Sequence, residues 1–157
     1  MEQINYKLLI IIIGIAILFS CRKEDKKATP PVTAVISNNI KLDEFSDFPP
    51  EIDGCACTYA KDSVDLSSEK YIYVSNHAKI AFLKINGVLT KFTLTAEKRI
   101  NSTDFIKKYI STNYKLIILI KAGRQTGDES WLNTGLIKIF DKNGKTISQT
   151  FYGECGC

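Results

Sequence analysis

Histidine, methionine and tryptophan are the scarce residues of this chain: 157 residues hold one His, one Met and one Trp. With His77 as the only imidazole, a multi-histidine metal centre is excluded, and any Ser-His-Asp or Cys-His arrangement would have to use that one residue. A single methionine excludes Met-rich copper sites. No Walker A, GxGxxG or HExxH pattern occurs, so phosphate-loop, dinucleotide and zincin chemistry have no support. Charge is close to balanced, with 21 Lys and Arg against 17 Asp and Glu and a net charge of +4. The densest cations sit between Arg22 and Lys27. Attraction to lipid head groups explains that placement better than a nucleic-acid partner does. Long apolar runs are missing too. Leu8 to Phe19 is uncharged and almost wholly apolar, but as a helix it would span about 18 Å against a hydrocarbon core of roughly 30 Å.

That run, preceded by Lys7 and followed by Ser20, reads as a secretory signal over residues 1–20. A cysteine follows it. Leu18-Phe19-Ser20-Cys21 resembles the lipobox of bacterial lipoproteins, with Phe19 standing where a small residue is usual. The resemblance implies a diacylglycerol thioether on Cys21, cleavage before it and acylation of the new amino terminus by a chain such as palmitate. The membrane then becomes a partner through the lipid anchor. Arg22-Lys23-Glu24-Asp25-Lys26-Lys27 resembles the surface-export signal of lipoproteins in Bacteroidota. The implied location is the outer membrane, at the cell surface or on its periplasmic face. Residues 21–44, with Pro30-Pro31 and Asn38-Asn39, read as the lipidated cysteine and a flexible tether.

The acidic residues Asp43, Glu44, Asp47, Glu51 and Asp53 surround Pro49-Pro50 and read as a solvated turn rather than a paired-carboxylate site. Residues 45–157 form one domain. Its pattern predicts a mainly β fold, an antiparallel β-sandwich or small β-barrel with at most one short helix. Lys79 to Ile85 and Val88 to Leu94 flank Asn86-Gly87, a strong hairpin signal. Leu136 to Phe140 and Thr146 to Tyr152 flank a second turn at 141–145. Leu116 to Ile120 is a continuous apolar run, as expected of a strand buried on both faces. The one predicted helix is Thr103 to Ser111, where Phe105, Ile106, Tyr109 and Ile110 have helix-like spacing. His77, in Ser75-Asn76-His77-Ala78, reads as a turn residue.

Cys55-Ala56-Cys57 opens the domain and Cys155-Gly156-Cys157 closes it. Residues two apart on a strand share a face, so each pair presents two thiols together. Disulfides are the first expectation, either 55–155 with 57–157 or 55–157 with 57–155, closing a loop worth about 4–5 kcal/mol. Zinc or Cu(I) held by four thiolates is an alternative, as is thiol exchange, for which only Lys61 offers a nearby cation. Gly54 to Cys57 and Gly153 to Cys157 also resemble the paired segments of small lipoproteins of Bacteroidota, a resemblance that implies no activity.

The segment from Gly123 to Gly135 is polar, punctuated by glycine and carries Arg124 and Trp131. It reads as a long connection and a candidate binding loop. Asp62-Ser63-Val64 resembles the short O-glycosylation sequon of Bacteroidota, with Ser63 as acceptor. Function is expected to be non-catalytic: a lipid-anchored envelope lipoprotein acting as an interaction module for a protein or glycan partner, with no cofactor. The alternatives are an inhibitor of a secreted hydrolase, of lysozyme or protease type, and a metal-binding protein using the four thiolates.

Overall fold

The computed structural model describes residues 39–77 and 79–157. The signal segment, Cys21 and the tether as far as residue 38 lie outside them. The elements are β1 (Leu42–Asp43), β2 (Ala56–Ala60), a short helix α1 (Ser63–Ser67), β3 (Tyr73–Ser75), β4 (Ile80–Ile85), β5 (Val88–Arg99), β6 (Asp104–Ile110), β7 (Tyr114–Gly127), β8 (Ser130–Asp141) and β9 (Thr146–Gly156). From β2 to β9 each strand pairs antiparallel with the next, and β9 returns to β2 through Ala56↔Gly156 to Ala60↔Tyr152. The result is a closed eight-stranded up-and-down barrel. Closure removes the free edges that an open sheet would expose. β1 adds to β4 through Leu42↔Ile85 and Asp43↔Lys84.

Local sequence explains the turns. Asn86 and Gly87 adopt φ of 49° and 79°, the left-handed pair that a tight β4–β5 hairpin requires. At the β8–β9 turn, Asp141 Oδ1 accepts from the backbone N–H groups of Asn143 and Lys145, both at 2.8 Å. Alternation does the rest. Tyr59, Tyr73, Leu83, Phe92, Tyr109, Leu116, Ile118, Ile139 and Phe151 are all buried in one core. Tyr59 stacks on Phe151 at 4.1 Å and on Tyr73 at 4.9 Å between ring centroids. Gly153 makes that stack possible, because a Cβ there would lie 2.5 Å from Tyr59 Cδ1 and 2.1 Å from the Thr58 carbonyl oxygen.

Four expectations are corrected. Residues 104–110 form strand β6, not a helix, since Phe105, Lys107 and Tyr109 lie opposite Ile120, Ile118 and Leu116 of β7. The pattern hid this because a lysine occupies an inward position while Ile106 and Ile110 point outward. Leu116, Ile118 and Ile120 are buried but Ile117 and Leu119 only half-buried, because a barrel wall has one interior face. The stretch from Gly123 to Gly135 is not a loop: β7 and β8 run through it to a turn at Asp128-Glu129. Ordered structure also begins before residue 45, with Ile40 in the core and β1 inside the expected tether.

The acidic residues around Pro49-Pro50 are partly neutralised. Asp43 pairs with Lys41, Glu44 with Lys61, and Glu51 with Lys91.

Candidate functional site

The two ends of the barrel differ. β4 runs from Ala81, level with Ser75 and Cys57, to Ile85 at the Asn86-Gly87 turn. At that turn the Asn86 N–H donates to the Lys41 carbonyl at 2.9 Å, and Ile40 and Leu42 pack into the core. The described chain therefore joins the barrel at this end, where a cleft of about 460 Å³ lies among Asn86, Thr90, Ser111, Thr112 and Asn113. The opposite end, where β2 begins and β9 finishes, holds a cavity of about 280 Å³.

Both Cys-x-Cys segments lie at this mouth. The sulfur atoms pair as Cys55–Cys157 and Cys57–Cys155, one of the two connectivities that the spacing left open. Cys57 faces Cys155 directly in the β2–β9 register, and both are buried. Tyr59 Oη lies 3.1 Å from Cys155 Sγ. A disulfide sulfur carries no proton, so the phenol is the donor. Asn133, a buried polar residue at 5% exposure, lies beside the phenol and partly offsets the effect of burial on it.

A bulge between Leu94 and Ala96 in β5 shifts the alternation and sets Glu97 opposite Lys107 on the inner face. Their charges stand 3.6 Å apart, with the Lys107 side chain 12% exposed. Phe105, Ile120, Ala122 and Trp131 supply the apolar lining. Trp131 lies beside Cys155 in the β8–β9 register and keeps 42% of its surface exposed. At the rim the Arg99 guanidinium sits 5.3 Å from the centre of the Phe105 ring. Arg124 is exposed further along β7 and does not line the cavity.

His77 is the residue that sequence reasoning undervalued. It is a turn residue, as expected, with φ of 65°. The turn is tied by Asn76 Oδ1, which accepts from the N–H groups of Lys79 and Ile80, both at 3.1 Å. That arrangement brings His77 to the cavity wall, with a ring nitrogen and the sulfurs of Cys57 and Cys155 all within 4.8 Å of one another. Burial, and secondarily the Lys107 ammonium, hold its imidazole below the usual histidine range, while Glu97 opposes them. No local period in the sequence marks this, because His77 lies beyond β3 in a turn and meets the sulfurs only through the fold. Lys61, by contrast, is paired with Glu44 and plays no part at the cysteines. Ser63 is exposed at the start of α1, where Asp62 caps the helix by accepting from the N–H groups of Val64 and Asp65, both at 2.9 Å.

The mouth thus combines an apolar wall with convergent polar groups and a closed disulfide. It offers a cleft for a small group and no free thiolate. The protein is of the closed up-and-down barrel class, with an apolar-walled cavity at its disulfide end. The chain matches no family model, no curated protein and no solved structure.

Proposed function

We propose that this chain is a lipid-anchored envelope lipoprotein whose barrel is a non-catalytic binding module, taking a small, partly apolar ligand or a partner's side chain into the mouth. The observation that carries the reading is the asymmetry of the barrel. One end receives the chain and carries a cleft of about 460 Å³ among the turn residues Asn86, Ser111, Thr112 and Asn113, while the other keeps a cavity of about 280 Å³ walled by Trp131, Phe105 and Ile120. Eight strands make an interior wide enough for packed side chains or one small ligand. The address read from Leu18 to Cys21, with Arg22 to Lys27 behind it, supports a location at the outer membrane, on the cell surface or on the periplasmic face. The charged pair Glu97–Lys107 and the Asn133 amide supply orientation at the apolar wall.

Trp131 is the only tryptophan, so its fluorescence reports the cavity directly. Titration of the full chain in its oxidised state with anilinonaphthalene sulfonate should quench Trp131 by energy transfer. Ala122→Leu, which fills the cavity, should abolish the effect. Equal quenching in that variant would overturn the cavity reading. The anchor has its own test: a clickable palmitate analogue should label the wild-type chain in a bacterial host but not Cys21→Ser.

The hydrolase-inhibitor reading retains one observation in its favour. The Ala122 N–H donates to Thr103 as the last contact between β7 and the β6 side, so Gly123 to Gly127 presents an open strand edge carrying Arg124 among the described residues. Tight capture of lysozyme or a secreted protease, weakened by Arg124→Ala, would favour it.

A further inference from the structure

The chemistry left unused at the mouth is the imidazole of His77 beside the inner disulfide. We propose that reduction of Cys57–Cys155 opens a binding site for one thiophilic ion, Cu(I), held by the two thiolates and the His77 imidazole. The site differs from a four-thiolate centre because it leaves Cys55–Cys157 out and recruits histidine instead. It does not depend on the ligand-binding reading, which concerns the oxidised protein.

Geometry comes first. A trigonal centre with metal–sulfur bonds of about 2.3 Å and a metal–nitrogen bond of about 2.0 Å separates its donors by roughly 3.7–4 Å. The His77 nitrogen already stands within 4.8 Å of both sulfurs. Only the sulfurs must part, and rotation about their side-chain bonds does this once the S–S bond is gone. The β2–β9 register holds the two backbones opposite each other throughout.

Donor chemistry comes second. Two thiolates and an imidazole form a soft set suited to Cu(I), which accepts three ligands. No described side chain accepts from or donates to that ring, so coordination displaces no existing bond. The cavity in front of Cys57 and Cys155 provides the path in.

The reducing step needs a dithiol. One of its thiolates attacks Cys57 Sγ, the Sγ–Sγ bond breaks, and Cys155 leaves as a thiolate stabilised by the Tyr59 hydroxyl, 3.1 Å away. The second thiolate of the dithiol then attacks the mixed disulfide and frees Cys57. The dithiol ends as its own disulfide, and two electrons and two protons have passed to the protein. Cu(I) binding releases the two thiol protons to solvent.

The test uses the full chain in detergent, titrated anaerobically with Cu(I) against bicinchoninate before and after treatment with dithiothreitol and its removal. The oxidised chain should bind none and the reduced chain one ion. Cys55→Ser with Cys157→Ser should retain that one ion, whereas His77→Ala should weaken it by about tenfold or more, since even the outer partners of metal ligands are worth 10- to 100-fold. Unchanged affinity in His77→Ala, loss of the ion in Cys55→Ser/Cys157→Ser that still shows the wild-type β spectrum, or no binding after reduction would each overturn the site. X-ray absorption of the reduced wild-type chain is independent of any variant's folding. One nitrogen and two sulfur neighbours support the proposal, and four sulfurs overturn it.

Discussion

Three tyrosines sit where their hydroxyls cannot reach bulk water, and each pays for ionisation. Tyr59 and Tyr73 are almost wholly inaccessible, and burial raises both well above the ordinary tyrosine range. Burial also pushes Tyr109 up to about 12. The hydroxyls of Tyr73 and Tyr109 are hydrogen-bonded at 3.0 Å. A group whose pKa is raised on folding contributes stability below its unfolded value, near 10, and loses it as pH rises towards the folded value. The unfolding free energy should therefore hold steady up to about pH 10 and then fall, by up to about 1.4 kcal/mol per pH unit for each buried tyrosine. Replacing Tyr73 and Tyr109 together by Phe removes both partners of one bond, a change that is close to neutral at pH 7. Urea titrations at pH 8 and pH 11 should show a flatter alkaline slope in that double variant. An unchanged slope would mean that these two groups do not set alkaline sensitivity.

At the scale of single elements, the β4–β5 hairpin does two jobs. Its turn reverses the chain, and it also receives β1. The Gly87 N–H donates to Asp43 Oδ2 at 2.7 Å, and Asn86 Oδ1 accepts from the Lys41 N–H at 2.9 Å. A Cβ on Gly87 would meet nothing within 4 Å, yet its φ is +79°. Gly87→Ala should thus cost about 1 kcal/mol, for conformation alone. A chemical-denaturation loss well beyond 2 kcal/mol would show that the substitution also undocks β1. This turn was legible in the sequence because it depends on two adjacent residues. β6 was not. Its inward lysine is tolerated only because a bulge some ten residues earlier in β5 carries Glu97 round to meet it. That pairing is a long-range fact which no local period records. His77 was hidden for the same reason: its neighbours in sequence mark a turn, and its neighbours in space are two sulfurs from the opposite ends of the domain. The cysteine pairs were legible as same-face thiols, and only the antiparallel register of β2 on β9 chose between the two connectivities.

For the molecule as a whole, that seam is what makes a sheet into a barrel. Five register pairs join β2 to β9, and two disulfides reinforce them with sequence separations of 102 and 98. In the chain-entropy account, either bridge alone closes a loop of about 100 residues and contributes about 4.7 kcal/mol. The second bridge then closes only a small ring, and the same relation gives it on the order of 2 kcal/mol. The two effects are therefore strongly non-additive. Cys55→Ser with Cys157→Ser, which removes the more exposed bridge, should lower the unfolding free energy by about 2 kcal/mol or less. Reducing that variant should remove a further 4–5 kcal/mol, roughly. Hydrogen exchange gives the matching local signature. Amides of β2 and β9 should lose protection on full reduction, while β7 and β8, paired from Tyr114↔Asp141 to Gly127↔Ser130, should keep theirs. Equal losses for the two steps would mean that each bridge acts on native contacts rather than on the unfolded chain. Uniform loss of protection across all strands would mean that the barrel opens as one unit instead of at its seam.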